Sequence, residues 1–316
     1  MKIDQIHVSV IVPCYNEQEV IEQTHKRLTS VLTKLDAKYE IIYVSDGSCD
    51  GTNNLLEKIY NENNRDTVKT ILFSRNFGHQ IAVSAGVDHA KGAAIILIDA
   101  DLQDPPELIP EMIEKWKEGY QVVYCQRRIR RGESKLKLLT AKYFYKILKY
   151  LSDVEIPVDT GDFRLMDRKV VKVIKSMPEK DRFIRGMVAW VGFKQFALQY
   201  EREERYAGES KYPFWKMVKF ALDGIVSFSI KPLRLSILLG FTSSFLSLGG
   251  ILYALVMWAI GEPVVGWTLM FIAIMFFSGV QLISLGVIGE YTGRTYEATK
   301  NRPLYIIDEM KGFSEK

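Results

Sequence analysis

Apolar, β-branched runs recur at positions 8–12, 40–44, 68–73, 94–98 and 121–125, with helical patterns between them. Ile21, Leu28, Leu32 and Leu35 share one helical face, and Leu55, Leu56, Ile59 and Tyr60 share a second. A third, after Pro105-Pro106, carries Leu108, Ile109, Met112, Ile113 and Trp116. Strands that are apolar almost throughout, alternating with amphipathic helices, predict an α/β domain with a mostly parallel sheet covered on both faces. Residues 163–200 are expected to add further helices and one strand to that domain.

The pattern changes near the C-terminus. Positions 235–260 and 264–288 contain no charged residue, and Gln281 is the most polar side chain of the second run. A helix needs about 20 apolar residues to cross a bilayer core, and both runs qualify. Only Gly261-Glu262-Pro263 joins them, so a tight two-helix transmembrane hairpin is expected. A pair of buried core helices is the alternative, although core helices rarely run so long without a charge. Segment 213–230 mixes aromatic and aliphatic residues with Lys216, Lys219 and Asp223. It reads as an amphipathic helix on the membrane surface, with a plain linker helix as the alternative. The organisation expected is an α/β domain over 1–212, a juxtamembrane helix over 213–230, the hairpin over 231–290 and a cytoplasmic tail over 291–316.

Composition alone hides this division. With 316 residues, 47% hydrophobic and 25% charged, and a mean hydropathy of −0.02, the averages describe an ordinary soluble chain of about two domains. They exclude disorder, a collagen-like repeat and a polytopic transporter. The net charge of +4 is too weak to argue for nucleic acid, but its placement is informative. Lys211, Lys216, Lys219, Lys231 and Arg234 precede the first run, Arg294, Lys300 and Arg302 follow the second, and the connector has no basic residue. The positive-inside rule then puts both termini in the cytoplasm. Cys14, Cys49 and Cys125 form no CxxC pair, which argues against a disulfide framework or zinc site and fits a reducing compartment. The run at 8–12 is too short for a signal peptide, with Asn16 and Glu17 close behind it, and reads as a buried first strand.

Ligands of open α/β sheets bind beyond the carboxyl ends of the strands. The predicted strands are followed by Pro13-Cys14-Tyr15-Asn16-Glu17, by Ser45-Asp46-Gly47-Ser48-Cys49-Asp50-Gly51-Thr52 and by Ser74-Arg75-Asn76-Phe77-Gly78-His79. The fourth and fifth are followed by Asp99-Ala100-Asp101-Leu102-Gln103-Asp104 and by Arg127-Arg128. Five polar ends on one rim argue for a site.

Asp99-Ala100-Asp101 is the sharpest of these. Two carboxylates one residue apart repel each other unless a cation lies between them. Hard oxygen donors suit Mg²⁺ or Mn²⁺, with Gln103 placed to add a neutral oxygen. Asp104, before Pro105-Pro106, reads as a helix cap. Asp46 can accept from a base N–H or ribose hydroxyls; Gly47 and Gly51 fit a tight turn, and Asp50 or Thr52 a cap. Neither G-x-G-x-x-G nor G-x-x-x-x-G-K-[ST] occurs, so a bound diphosphate would depend on metal and arginine.

Basic residues form the complementary half: Arg127, Arg128, Arg130, Arg131, Lys135 and Lys137, then Arg202 and Arg205 before Gly208-Glu209-Ser210-Lys211. Guanidinium groups suit phosphate oxygens, and such clusters also attract anionic lipid. Helix 134–151, with Tyr143, Phe144, Tyr145 and Tyr150, reads first as core packing and second as lipid contact. Asp159-Thr160-Gly161-Asp162-Phe163-Arg164 reads as a polar turn. His79 is the only histidine near the rim, and no serine or cysteine sits in a nucleophile elbow.

These residues resemble glycosyltransferase family 2, and within it the polyprenyl-phosphate glycosyltransferases related to dolichol-phosphate mannose synthase. The likeness is nearest to the bacterial bactoprenol glucosyltransferases. V-S-V-I-V-P-C-Y-N-E, S-D-G-S-C-D-G-T, S-R-N-F-G-H-Q and D-A-D-L-Q-D-P-P-E match in order, followed by T-G-D-F-R-L, G-E-S-K-Y and the hairpin. Ser45 departs from the usual D-D-G-S, leaving Asp46 alone. The resemblance implies a GT-A fold, a Rossmann-like mostly parallel sheet. It implies nucleotide binding by Pro13, Tyr15, Glu17, Asp46, Asp99 and Ala100, and a metal on Asp99, Asp101 and Gln103. It also implies an acceptor-phosphate site of Arg127, Lys137, Arg205 and Ser210. Asp101, Arg127 and Asp162 would carry catalysis, Asp162 by orienting the acceptor or acting as base.

The activity implied is inverting transfer of a hexose from a nucleotide sugar, UDP-glucose first, to polyprenyl (undecaprenyl) phosphate at the inner membrane. GDP-mannose, UDP-GalNAc and a UDP-linked modified arabinose are the alternative donors, and a noncatalytic nucleotide-sugar-binding scaffold is the alternative class. No QxxRW motif occurs, which argues against a processive synthase. Membrane lipids are expected partners, nucleic acid is not, and the hairpin could assemble a homo-oligomer.

Overall fold

The computed structural model describes residues 7–63, 66–127, 157, 160–201, 226, 229–261 and 266–313. The chain divides into two compact units. The first takes Met1–Lys146, Val154–Met217 and Arg302–Lys316, the second Ile147–Asp153 and Val218–Asn301.

In the first unit β1 (His7–Cys14), α1 (Ile21–Leu32), β2 (Lys38–Ser45), α2 (Thr52–Glu62), β3 (Val68–Phe73), α3 (His79–His89) and β4 (Ala94–Leu97) alternate as the pattern predicts. There follow α4 (Ile109–Lys117), β5 (Val122–Arg127), β6 (Thr160–Asp167), α5 (Arg168–Ser176), α6 (Ile184–Trp190) and β7 (Gln195–Tyr200). The second unit holds α7 (Lys231–Ala259) and α8 (Trp267–Thr299), and the chain then adds β8 (Ile307–Lys311) to the first. The strand order is β7-β5-β6-β4-β1-β2-β3-β8. Only β6 and β8 run against the others. This mostly parallel sheet and the two long apolar helices are the architecture that the resemblance implies.

Apolar periodicity explains the helices. α1 buries Ile21, Thr24, His25, Leu28, Val31 and Leu32, the i, i+3, i+4, i+7 positions of one face. Leu35 lies past the helix end and packs on the core from the following turn. α3 approaches β1 so closely that a Cβ at Gly86 would stand 2.2 Å from Ile11 Cγ2.

At the amino ends of the strands a buried ion cluster locks the layers. Lys69 Nζ and Ser9 Oγ donate to the Glu40 carboxylate. Lys91 N–H also donates to it, at 2.7 Å, and Gly92 N–H donates to Ser9 Oγ at 2.7 Å. Burial alone would raise the Glu40 carboxyl, but these donors outweigh it and hold the pKa below its ordinary value.

Two expectations need correction. Residues Thr160–Asp167 form β6, a buried antiparallel strand between β4 and β5, rather than a polar turn. Its charged residues misled because Asp162 and Arg164 are both buried and partnered. Segment 291–316 is not a tail. α8 runs to Thr299, and β8 pairs with β3 as the eighth strand. Its sequence IDEMK is short and charged, as suits an edge strand.

In the second unit α7 and α8 are both long and apolar enough to cross a membrane, with mean hydropathies of 1.8 and 2.2 in their most apolar windows. None of those windows is buried; Phe245, for example, is 73% exposed. Such surfaces suit hydrocarbon rather than water, unlike the buried core helices that were the alternative. At 1.5 Å per residue α8 spans about 50 Å, and its last turns carry the pairs Arg294–Glu290 and Lys300–Glu297. Tyr291 Oη donates to Ser229 O at 2.6 Å, tying α8 to the residues before α7. The surface helix expected at 213–230, the helix at 134–151 and connector residues 262–265 lie outside the described residues, apart from 226, 229 and 230.

Candidate active site

Antiparallel β6 brings its beginning to the rim where the parallel strands bring their ends. It pairs with β4 so that Leu97 faces Arg164. Two residues further along the same register stand Asp99 and Asp162. α3 supplies His79 as its first residue, after Gly78 at φ 105°. Ligand atoms of His79, Asp99 and Asp162 lie within 4.8 Å of one another; these three could hold a metal ion.

The carboxylates differ in their partners. Asp162 Oδ1 accepts from Arg185 Nε at 2.7 Å. Its Oδ2 accepts from His79 Nε2 at 3.0 Å and Gln80 Nε2 at 3.1 Å. Burial would raise the Asp162 carboxyl, but the Arg185 charge and the His79 contact outweigh it and hold it well below the carboxylate range. Asp99 Oδ1 is buried with no hydrogen-bond partner among the described residues; His79 Nε2 stands 3.6 Å from it. Burial, with the charges of Asp162, Asp104 and Asp101, pushes Asp99 up to about 6 against the pull of His79. For His79 burial alone would favour the neutral ring, but the Asp162 hydrogen bond and both negative charges raise it to about 9.

Further donors fix this arrangement. Gln80 Oε1 accepts Ile184 N–H at 3.0 Å, and Arg185 Nη1 donates to Thr160 O at 2.9 Å. Arg164 Nη2 donates to Gly161 O at 3.0 Å, and burial pushes its guanidinium down to about 10.

The turn after β4 is held from α1. Thr24 Oγ1 donates to Ala100 O at 2.7 Å, and Arg27 makes a bidentate pair with Glu107, both contacts 2.7 Å. Asp101 Oδ1 accepts Gln103 N–H at 3.2 Å around Leu102, whose φ of 58° is rare for a side chain of this size. Gln103 is buried. Asp104 caps no helix: Pro105 precedes the short turn Pro106–Leu108, Leu108 precedes α4, and neither end has a side-chain cap. Asp104 instead accepts from Tyr200 Oη. Arg127 Nε lies 3.4 Å from the same hydroxyl, and a Cβ at Gly161 would stand 3.1 Å from Arg127 Nη2. Arg127 therefore lies close over the start of β6 at Gly161.

On the opposite side the loops after β1 and β2 are stitched together. Glu17 N–H donates to Thr52 Oγ1 at 2.8 Å, Cys49 N–H to Asn16 Oδ1 at 2.9 Å and Gly51 N–H to Gln18 Oε1 at 2.8 Å. Asp50 Oδ1 accepts Thr52 N–H at 3.0 Å, while the N-cap position of α2 is Gly51, without a side-chain cap. Pro13 is buried at the end of β1, and Tyr15 is 40% exposed. Asp46 accepts Phe77 N–H at 2.7 Å and Gly78 N–H at 2.9 Å, and burial raises its carboxyl. It thus holds the loop after β3. Gly47 sits at φ 65°, where a Cβ would stand 2.3 Å from Arg75 C.

The structure therefore brings Asp99 and Asp162 together with His79. Lys137, Arg205 and Ser210 lie outside the described residues, as do Arg128, Arg130, Arg131, Lys135 and Arg202. Sequence reading missed Gln80, Arg185 and Tyr200. One signal was available for Arg185: it is the lone charge in IRGMVAW, and a charge in a buried apolar helix requires a partner.

The model for glycosyl transferase family 2 matches residues 9–175. The chain is 50% identical to the uncharacterized glycosyltransferase YkcC of Bacillus subtilis (strain 168), over 98% of this chain and 96% of that protein. It is 41% identical to a prophage bactoprenol glucosyl transferase homolog of Escherichia coli (strain K12), over 96% and 99%. Among solved structures, mannosyl-3-phosphoglycerate synthase from Rubrobacter xylanophilus aligns with a TM-score of 0.46 and 16% identity, covering 69% of this chain and 71% of that one.

Proposed function

The chain belongs to glycosyl transferase family 2 and is a glycosyltransferase, and from that premise we propose that it transfers glucose from UDP-glucose to polyprenyl phosphate, with inversion, at the cytoplasmic face of a membrane. The observation that carries the reading is Asp99 Oδ1, a buried carboxylate oxygen without a hydrogen bond among the described residues, at the rim where ligands of such sheets bind. Similarity to a bactoprenol glucosyl transferase homolog over nearly the whole chain supports the sugar and the acceptor.

The donor set fits a hard divalent cation. Asp99 has an oxygen to offer, and Asp101 and Gln103 follow it in one turn. Asp162 already accepts from Arg185, His79 and Gln80, which leaves Asp99 the less committed of the two carboxylates. We therefore assign Mg²⁺ or Mn²⁺ to Asp99, Asp101 and Gln103. A cation bound there supplies charge neutralisation for the departing diphosphate.

The chain's own groups supply the rest. Pro13, Tyr15, Glu17, Asp46 and Ala100 border the nucleoside. Arg127 meets the acceptor phosphate, together with Lys137, Arg205 and Ser210. A phosphate monoester has a second pKa near 6, so the acceptor arrives anionic and needs positioning more than a base. Asp162, with three donors on its oxygens, serves to orient. In a single displacement an acceptor phosphate oxygen bonds to C1 as the bond from C1 to the UDP oxygen breaks, leaving a β-linked glucose. Basic residues on both flanks of the hairpin support cytoplasmic termini.

The test uses the purified full chain in detergent with Mn²⁺, polyprenyl phosphate and radiolabelled UDP-glucose, GDP-mannose or UDP-GalNAc. Label from UDP-glucose should enter the lipid phase and EDTA should stop it. Transfer from none of the donors overturns the reading.

A further inference from the structure

The residues that follow the hairpin pack against the end of β3, which leads into the site. Ser74 N–H donates to Ile306 O at 3.1 Å. Ile307 pairs with Phe73 across a shift of register between Leu72 and Phe73. The Tyr305 ring stacks on Phe73, with centroids 5.2 Å apart and planes 14° from parallel. Its hydroxyl donates to Asp88 Oδ2 at 3.2 Å. Phe73 in turn meets Phe77 edge-on, at 5.6 Å and 87°. The Arg75 guanidinium covers the Phe77 ring at 4.1 Å, and the Phe77 N–H is the one that Asp46 accepts at 2.7 Å. A row of rings thus runs from Tyr305 to Phe77, whose backbone N–H reaches the Asp46 carboxylate, and His79 stands two residues further on.

We propose that Tyr305 is a positioning residue for the nucleotide-sugar site: its ring, through Phe73 and Phe77, holds loop 74–79 where Asp46 and His79 need it. This rests on the reading that Asp46 borders the nucleoside. Without the stack, the loop is held at its far end by two backbone contacts to Asp46 and pivots at Gly78, whose φ of 105° is open to glycine alone. An aromatic contact of this geometry is worth up to about a tenfold change in an equilibrium constant.

The experiment compares the full chain with Tyr305→Leu, Tyr305→Phe and Phe77→Leu. It measures UDP affinity calorimetrically with Mn²⁺, KM and kcat for UDP-glucose and for polyprenyl phosphate, and thermal melting. Tyr305→Leu and Phe77→Leu should weaken UDP and raise the UDP-glucose KM about tenfold, with the polyprenyl phosphate KM within about twofold of the parent. Tyr305→Phe should match the parent, because the ring carries the effect. Should Tyr305→Leu fail to fold, Phe77→Leu decides by the same numbers. Variants that melt earlier yet bind UDP like the parent overturn the inference, as does a Tyr305→Phe variant with the full loss. A parent chain that binds no UDP overturns the functional reading and this inference with it.

Discussion

Glu40, near the amino ends of the parallel strands, and Asp99, just past the carboxyl end of β4, are carboxylates of one sheet in opposite circumstances. Glu40 receives Ser9, Lys69 and the Lys91 N–H, and its pKa falls. Asp99 keeps one buried oxygen without a hydrogen bond among the described residues, and its pKa rises to about 6. A buried charge with its donors in place has its desolvation offset and becomes costly only when a partner is removed, whereas one without them costs stability until a ligand arrives. The difference separates architecture from site within a single layer of strands.

Substitution should sharpen that contrast. Asp99→Asn should lower transfer by roughly 10²–10³-fold while the metal-free melting temperature holds or rises; full activity in this variant would erase the distinction. Glu40→Gln should do the reverse. It should cost about 3–5 kcal/mol in denaturant titration and leave the UDP-glucose KM of the folded fraction unchanged.

The two sites should also respond to pH in opposite senses, measured without metal. Glu40 has a depressed pKa in the folded chain, so its contribution is complete above its unfolded pKa and is lost as pH falls through the folded one. The Glu40→Gln penalty should therefore shrink only below about pH 4. Asp99 has a raised pKa, so the folded state gains stability as pH falls through about 6. Any advantage of Asp99→Asn should fade below that pH. Melting curves of the parent and both variants across this range check the signs.

The smallest effect belongs to the support behind the site. Thr24→Val keeps the buried volume but removes the hydroxyl that holds Ala100 O. It should cost about 1 kcal/mol, read as a raised Mn²⁺ requirement, and Thr24→Ser should restore it.

Much of this was legible in the chain. Apolar runs marked β1 to β5 because a strand buried on both faces must be apolar, and the polar residues after each run marked the rim. β6 was not legible, since its charges are met in ways that composition does not show: Asp162 by Arg185, 23 residues on, and Arg164 by the backbone carbonyls of its own strand. β8 was hidden for a different reason. Its side chains carry no alternation, and it is held by the β3 ladder and by Tyr305 and Phe313, whose rings meet Phe73 and His89. The residues proposed to hold the metal stood out as Asp99-Ala100-Asp101, but Thr24 and Gln80, whose hydrogen bonds support this region, look like ordinary helix residues.

The central claim is that the oxygen left unmet at Asp99 holds the cation that binds the nucleotide diphosphate. Electron paramagnetic resonance of free Mn²⁺, titrated with the full chain and UDP, tests it directly. The parent should withdraw Mn²⁺ from solution, and Asp99→Asn, folded to the same extent, should not. Equal Mn²⁺ uptake by the two would contradict it.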